Sequence, residues 1–319
     1  MRRLTLVLLL VAGAFLFWML AEVGWEPLAA NLSRVGWGFP VLLLPYGVTT
    51  ALDAYTWKRL LPDAGGRLGF LRLAALRLEG EALNILTPTA SLGGEPYKAA
   101  GLVNAGYPLE AAAASLVVHK ALRVAGLFLY ILLGLALAVA FLPEISPYLQ
   151  GLLLGALVLG LGVAGFIFVQ RREPCRRTLA LLKRLKLCPL FLAAREAELA
   201  RIDARLAAFY EERRGLAGGL VLVQLAAWAV NSLEVWLAFR LLEAPVELAA
   251  AFIWDSLAMI FTALGFFLPA SLGMQEGGNI LLAVSLKRGA AFGAAFSILR
   301  RLREACWMGL GLVLALRRC

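Results

Sequence analysis

Long apolar runs alternate with short polar breaks along most of this chain. Residues 4–21, 39–57, 111–141, 152–169, 216–239 and 290–316 each approach or exceed the roughly 20 residues that a helix needs to cross a bilayer. Six membrane-spanning helices are therefore predicted. Two further apolar stretches do not fit that pattern. Residues 68–86 have helical spacing but carry Arg72, Arg77, Glu79 and Glu81, and a lipid-facing span does not tolerate that load. Residues 249–268 run straight into a break and resume at 278–286. The one substantial polar stretch is 171–215.

The breaks repeat. The first reads Thr87-Pro88-Thr89-Ala90-Ser91-Leu92-Gly93-Gly94-Glu95-Pro96-Tyr97, the second Leu268-Pro269-Ala270-Ser271-Leu272-Gly273-Met274-Gln275-Glu276-Gly277-Gly278. Each has a proline, a short spacer, Ser-Leu-Gly and then a glutamate. Proline removes a helical donor and glycine weakens the helix, so neither stretch continues a helix smoothly. Apolar segments broken by Gly and Pro at corresponding places in two halves point to a transporter binding site. Each break is predicted to form the tip of a re-entrant helical hairpin, one near 69–104 and one near 249–287. Irregular backbone at membrane depth is tolerated only against protein or water.

Charge placement sets the topology. The 319 residues are 61% hydrophobic with a net charge of +10, and mean hydropathy is +0.81. Basic residues cluster at Arg2-Arg3, at Lys58-Arg59, through Arg171 to Arg214 and at Arg317-Arg318. Lys/Arg bias places these clusters and both termini in the cytoplasm. The count closes only if one hairpin enters from the cytoplasm and the other from outside. The fold class is thus an all-α polytopic membrane protein: about six full spans plus two opposed re-entrant helical hairpins forming an inverted-topology repeat. Its parts are a first membrane half (1–170), a basic amphipathic cytoplasmic linker (171–215) and a second membrane half (216–319). Residues 4–21 are read as a retained first span, being longer than the apolar core of a signal peptide. Within the linker, Leu199, Ile202, Leu206 and Phe209 have helical spacing, expected of an interfacial helix.

Several chemistries are excluded. Cys175, Cys188, Cys306 and Cys319 form no zinc or redox spacing. A lone histidine, His119, excludes a histidine-based metal site. There is no phosphate-binding loop, nucleophile elbow or metal motif. No cofactor, no nucleic-acid partner and no enzymatic activity is expected. The expected partners are a membrane lipid and the bilayer itself, with homo-oligomerisation left open.

What stands out instead is charge inside two spans. His119, Lys120 and Arg123 follow the first break, and Arg300, Arg301, Arg303 and Glu304 follow the second. Each cluster starts about 10 residues into its span, about 15 Å deep at the helical rise. Basic residues near mid-bilayer cost several kcal/mol unless paired or hydrated. Glu81, Glu95 and Glu276 are the expected partners, and Lys98 adds another cation. As a set these groups are either ion pairs locking the halves together or a cavity for a headgroup; a surplus of cations favours an anionic one. Ser91 and Ser271 would hydrogen-bond a ligand or cap the following helix. Gly93, Gly94 and Gly273 would permit the turn, and Gln275 sits beside Glu276.

The two breaks and their charged following spans resemble the flippase-like family named after the transmembrane region of lysylphosphatidylglycerol synthase. The match lies in Pro88 through Glu95 and Pro269 through Glu276; the second is most like the hopanoid-associated HpnL branch. The resemblance implies movement of a lipid between leaflets of a bacterial-type inner membrane. The cargo would be a hopanoid, an anionic phospholipid or a polyprenyl phosphate. The aminoacyl-transfer activity of the synthase is not expected, because the chain ends at Cys319 without a transferase domain. The competing readings are an intramembrane transferase using Glu95 or Glu276, and a scaffold for a lipid- or hopanoid-synthesis complex using the basic linker.

Overall fold

A computed structural model describes residues 25–62, 68–86, 93–141, 149–185, 195–265, 271 and 273–317. Among them every regular element is helical. The first half contributes α1 (Trp25–Val35), a 3-10 turn (Gly36–Leu42), α2 (Leu43–Leu60), α3 (Phe70–Leu86), α4 (Glu95–Asn104), α5 (Leu109–Phe141) and α6 (Leu149–Gln170). The linker holds α7 (Pro174–Arg184) and α8 (Glu196–Glu212). The second half holds α9 (Arg214–Leu241), α10 (Leu248–Leu264), α11 (Met274–Ser285) and α12 (Ala290–Leu316).

Among the described residues four helical stretches are long and apolar enough to cross a membrane: Ser33–Leu60, Leu109–Phe141, Leu149–Gln170 and Arg214–Leu241. The helix α12 has 27 residues, a length of about 40 Å at the helical rise. Arg300, Arg301, Arg303 and Glu304 in its middle keep it out of that apolar class. The expected first span, 4–21, lies outside the described residues.

Both broken segments form helix pairs. Helices α3 and α4 pack together, as do α10 and α11. The approach in the first pair is close enough that a Cβ on Gly94 would overlap the Gly80 carbonyl, and Gly94 N–H donates to Asn84 Oδ1 at 2.7 Å. In the second pair Gly273 caps α11 at φ +83°, a conformation that costs glycine little.

The halves interlock by exchange. Helix α12 packs on α3 of the first half, and α5 packs on α10 of the second. Helices α2 and α9 cross each other, with Thr49 Oγ1 donating to the Ala227 carbonyl at 3.1 Å and lying 3.2 Å from Asn231 Oδ1. Small residues allow these approaches, as in membrane helix packing generally; a Cβ on Gly134 would collide with the Ser256 side chain across the α5–α10 crossing.

The largest apolar core gathers α5, α9, α10 and α12 around Phe239, which meets Trp254, Phe292 and Phe296 edge-on. A second core, under Trp57 and Tyr107, ties the first hairpin to α2 and α5. The linker differs from expectation. The apolar face of α8 is covered by protein: Leu206 is fully buried against Val118 and Leu122 of α5 and Leu220 of α9. Periodicity gives the same stripe whether its cover is lipid or protein, and here it is protein.

Candidate functional site

The charged side chains of the interior form two related networks. In the first half Asp53 of α2 is the hub. It pairs with Arg77 of α3 in a very short contact, lies 3.0 Å from His119 Nε2 of α5, and accepts a 2.8 Å hydrogen bond from Gln224 Nε2 of α9. Arg123 lies 3.9 Å from Asp53 and 3.5 Å from Glu81. Lys98 then links Glu81 at 3.5 Å to Glu95 at 2.8 Å, and Lys120 lies 4.0 Å from Glu95. Cations and carboxylates thus alternate from Lys120 through to Arg77.

In the second half Arg301 holds both Glu276, at 2.5 Å, and Glu304, at 2.7 Å. Arg303 pairs with Glu234 of α9 at 3.0 Å, and Arg300 with Asp255 of α10 at 2.8 Å. Asp255 also accepts from the Tyr130 hydroxyl of α5 at 3.0 Å, so this pair joins the two halves. One constant shift along the chain relates Asp53 to Glu234, Glu95 to Glu276, His119 to Arg300, Lys120 to Arg301 and Arg123 to Glu304. The Glu95–Lys120 and Glu276–Arg301 pairs are therefore the same device built twice, whereas the arginines that meet Asp53 and Glu234 stand at unrelated positions.

All but one of the candidate site residues singled out in the sequence are among the described residues. Glu81, Glu95, Lys98, His119, Lys120 and Arg123 come together around one cavity of about 210 Å³, which Asn84, Leu116, Val124 and Trp228 also line. Gln275, Arg300, Arg303 and Glu304 line a second cavity of about 200 Å³, with Tyr46, Thr49, Asn231 and Thr262. The two cavities share Glu81, Arg123 and Trp228 as lining residues. Arg301 and Glu276 pair beside the second cavity without lining it. Gly94 serves hairpin packing and Gly93 lies in the turn before α4. Ser271, at φ +50°, donates to the Thr262 carbonyl at 3.1 Å and so ties the second break to α10. Glu276 folds back to accept from Gly273 N–H at 2.7 Å, so it also caps its own helix. Ser91 lies outside the described residues.

Sequence reasoning missed the partners. Asp53, Glu234 and Asp255 are at most 2% exposed, and they pair with Arg77, Arg303 and Arg300. Arg77 was visible only as part of an awkward charge load. The available signal was that a lone acid in an otherwise apolar helix is itself costly and needs a partner.

The partition between the cavities has a particular construction. Arg123 is 28% exposed, stands 5.4 Å from the Trp228 ring centre and is held between two carboxylates. Trp228 Nε1–H in turn donates to the Arg123 carbonyl at 3.0 Å. Both carboxylates have a second cation: Arg77 for Asp53 and Lys98 for Glu81. Arg123 can therefore leave either partner without stranding a buried anion, which is the costly outcome in such sites. Arg300 and Arg303 lack that freedom, each being 4% exposed on carboxylates of 0% and 3% exposure.

No curated protein and no solved structure matches the chain. The sequence model of the lysylphosphatidylglycerol synthase TM region matches residues 5–311. With nearly the whole chain covered, and with paired breaks and buried charges arranged as described, the protein belongs to the family of the lysylphosphatidylglycerol synthase TM region.

Proposed function

We propose that this membrane protein carries a lipid between leaflets, its headgroup passing through the two charged cavities while its tail stays in the bilayer. The observation that carries this reading is the Arg123 partition. It separates two polar cavities in the interior of an apolar helical protein, and it is held by pairs that survive its displacement. A structural ion pair has no need of a spare cation on each carboxylate. A headgroup that competes for Arg123 would join the cavities for as long as it is bound.

The topology that serves this function is six spans, with α3–α4 and α10–α11 as opposed re-entrant hairpins, and with both termini and the linker in the cytoplasm. The reciprocal packing of α12 on α3 and of α5 on α10 supports an inverted repeat. Each half then offers the same glutamate–cation pair, Glu95–Lys120 or Glu276–Arg301, to one side of the membrane. The protein acts as a transporter rather than an enzyme, and its compartment is a bacterial-type inner membrane.

The test is lipid movement in proteoliposomes carrying a fluorescent phospholipid whose outer-leaflet copies are bleached by a membrane-impermeant reductant. The protein is expected to expose inner-leaflet lipid to bleaching faster than empty vesicles do. Identical rates with folded protein present contradict the proposal.

A further inference from the structure

The pairing of Glu95 with Lys120 sits at a boundary between two kinds of space. On one side is the polar cavity of about 210 Å³, in whose lining Lys98, Lys120 and Arg123 outnumber Glu81 and Glu95. On the other is an apolar groove of about 410 Å³ that Glu95 and Lys120 also line. Its walls are Ala99 of α4, Ala113 and Val117 of α5 and Phe166 of α6. Phe166 is 40% exposed, so the groove opens at the outer surface of the helical body. The groove is of the size that small-molecule sites occupy.

From this arrangement we infer that the groove between α4, α5 and α6 is a lateral binding site for an anionic lipid, its phosphate on Lys120 and its acyl chain along Val117 and Phe166. Three features point to that occupant. The groove is apolar along its length, which suits a hydrocarbon chain. The cationic majority in the polar lining lies where the groove ends, which suits an anionic rather than a neutral or cationic head. Lys120 is 31% exposed and Glu95 21%, so an incoming oxygen can reach the ammonium without first unburying it. The counterpart pair is closed by comparison: Arg301 is 16% exposed and Glu276 1%. The first half thus holds the accessible form of the device and the second half its shut form. This inference deepens the translocation reading and rests on it for the use made of the site.

The experiment is photo-crosslinking in nanodiscs of phosphatidylcholine doped with phosphatidylglycerol that carries a diazirine on its acyl chain. A second arm uses phosphatidylcholine with the same labelled chain. Peptide mass spectrometry is expected to place the phosphatidylglycerol adducts on the Ala113–Val117 turn and around Phe166, above the phosphatidylcholine level. Lys120→Gln is expected to lower labelling by phosphatidylglycerol about fivefold, the effect of one basic residue on an anionic lipid. Val117→Trp and, independently, Ala99→Phe are expected to block the groove, with thermal melting confirming that each variant is folded. Equal labelling by both probes, unchanged in Lys120→Gln, overturns the inference, as does full displacement of the probe by soluble glycerol phosphate. Groove labelling in a protein that moves no lipid supports the site and removes translocation. Lipid movement without groove labelling overturns the site and leaves translocation standing.

Discussion

At the residue scale the interior divides into charges that hold the fold and charges that have slack. Asp53 is 1% exposed and is met by Arg77, His119 and Gln224 from three other helices. Removing its charge leaves the fully buried Arg77 guanidinium without a carboxylate. Asp53→Asn is therefore expected to cost about 3–5 kcal/mol of stability, as breaking a buried pair does, seen as a large fall in melting temperature and folded yield. Arg123→Ala is expected to do the opposite: folded yield near wild type and lipid movement reduced. A yield that collapses in step with activity for Arg123→Ala would make the partition a structural pair. A separate residue-scale prediction concerns the linker. Asp203 accepts from the backbone N–H groups of Cys175 and Arg176 at 3.0 and 2.9 Å and so caps α7. Burial and the nearby Asp203 carboxylate push the Cys175 thiol up to about 12. Both act against the thiolate, so Cys175 stays protonated and slow to alkylate at neutral pH and gains reactivity only as pH rises toward that value. Asp203→Ala removes the cap, worth about 1 kcal/mol, and lowers the barrier to thiolate formation. Faster iodoacetamide labelling of Cys175 in Asp203→Ala is the expected result.

At the element scale the helix ends beside the two breaks were legible in the sequence, because proline and glycine leave unambiguous marks on an apolar background. The helix pairs α3–α4 and α10–α11 fall where the Pro- and Gly-bearing breaks place them. The partners of the buried cations were not legible. Asp53, Glu234 and Asp255 stand singly among apolar neighbours, and no local pattern says which distant helix will present an arginine to them. The constant shift that pairs Asp53 with Glu234 becomes informative only once both are known to face cations. The face of α8 was misassigned for a similar reason, since an apolar stripe does not record its cover. Packing at the element scale is testable at the α5–α10 crossing. Gly134→Val puts side-chain atoms where Ser256 already sits, and overpacking of this kind costs about 1–3 kcal/mol. The expected outcome is a lower melting temperature, partly restored by Ser256→Gly on the facing helix. No restoration would mean that the two helices do not meet there.

At the scale of the whole molecule, two halves related by one shift in sequence exchange their helices and enclose the charged cavities between them. In a cysteine-free background, cysteines at Arg59 and Arg184 are expected to label from the cytoplasmic side and one at Glu243 from outside, in line with the placement of basic residues. All three positions are exposed. Labelling of Arg59 and Arg184 from opposite faces would contradict the inverted arrangement. If the headgroup passes through both cavities, the paired glutamates Glu95 and Glu276 work in lipid movement and not only in packing. The most direct measurement compares lipid movement in proteoliposomes of wild type, Glu95→Gln and Glu276→Gln, with folded yield determined alongside. Glutamine keeps the shape and a carbonyl acceptor but loses the charge that engages Lys120 or Arg301. Each variant is expected to fold and to slow lipid movement by about tenfold or more, equivalent to about 1.4 kcal/mol. Wild-type rates in both variants would contradict the account and leave the two breaks as packing devices.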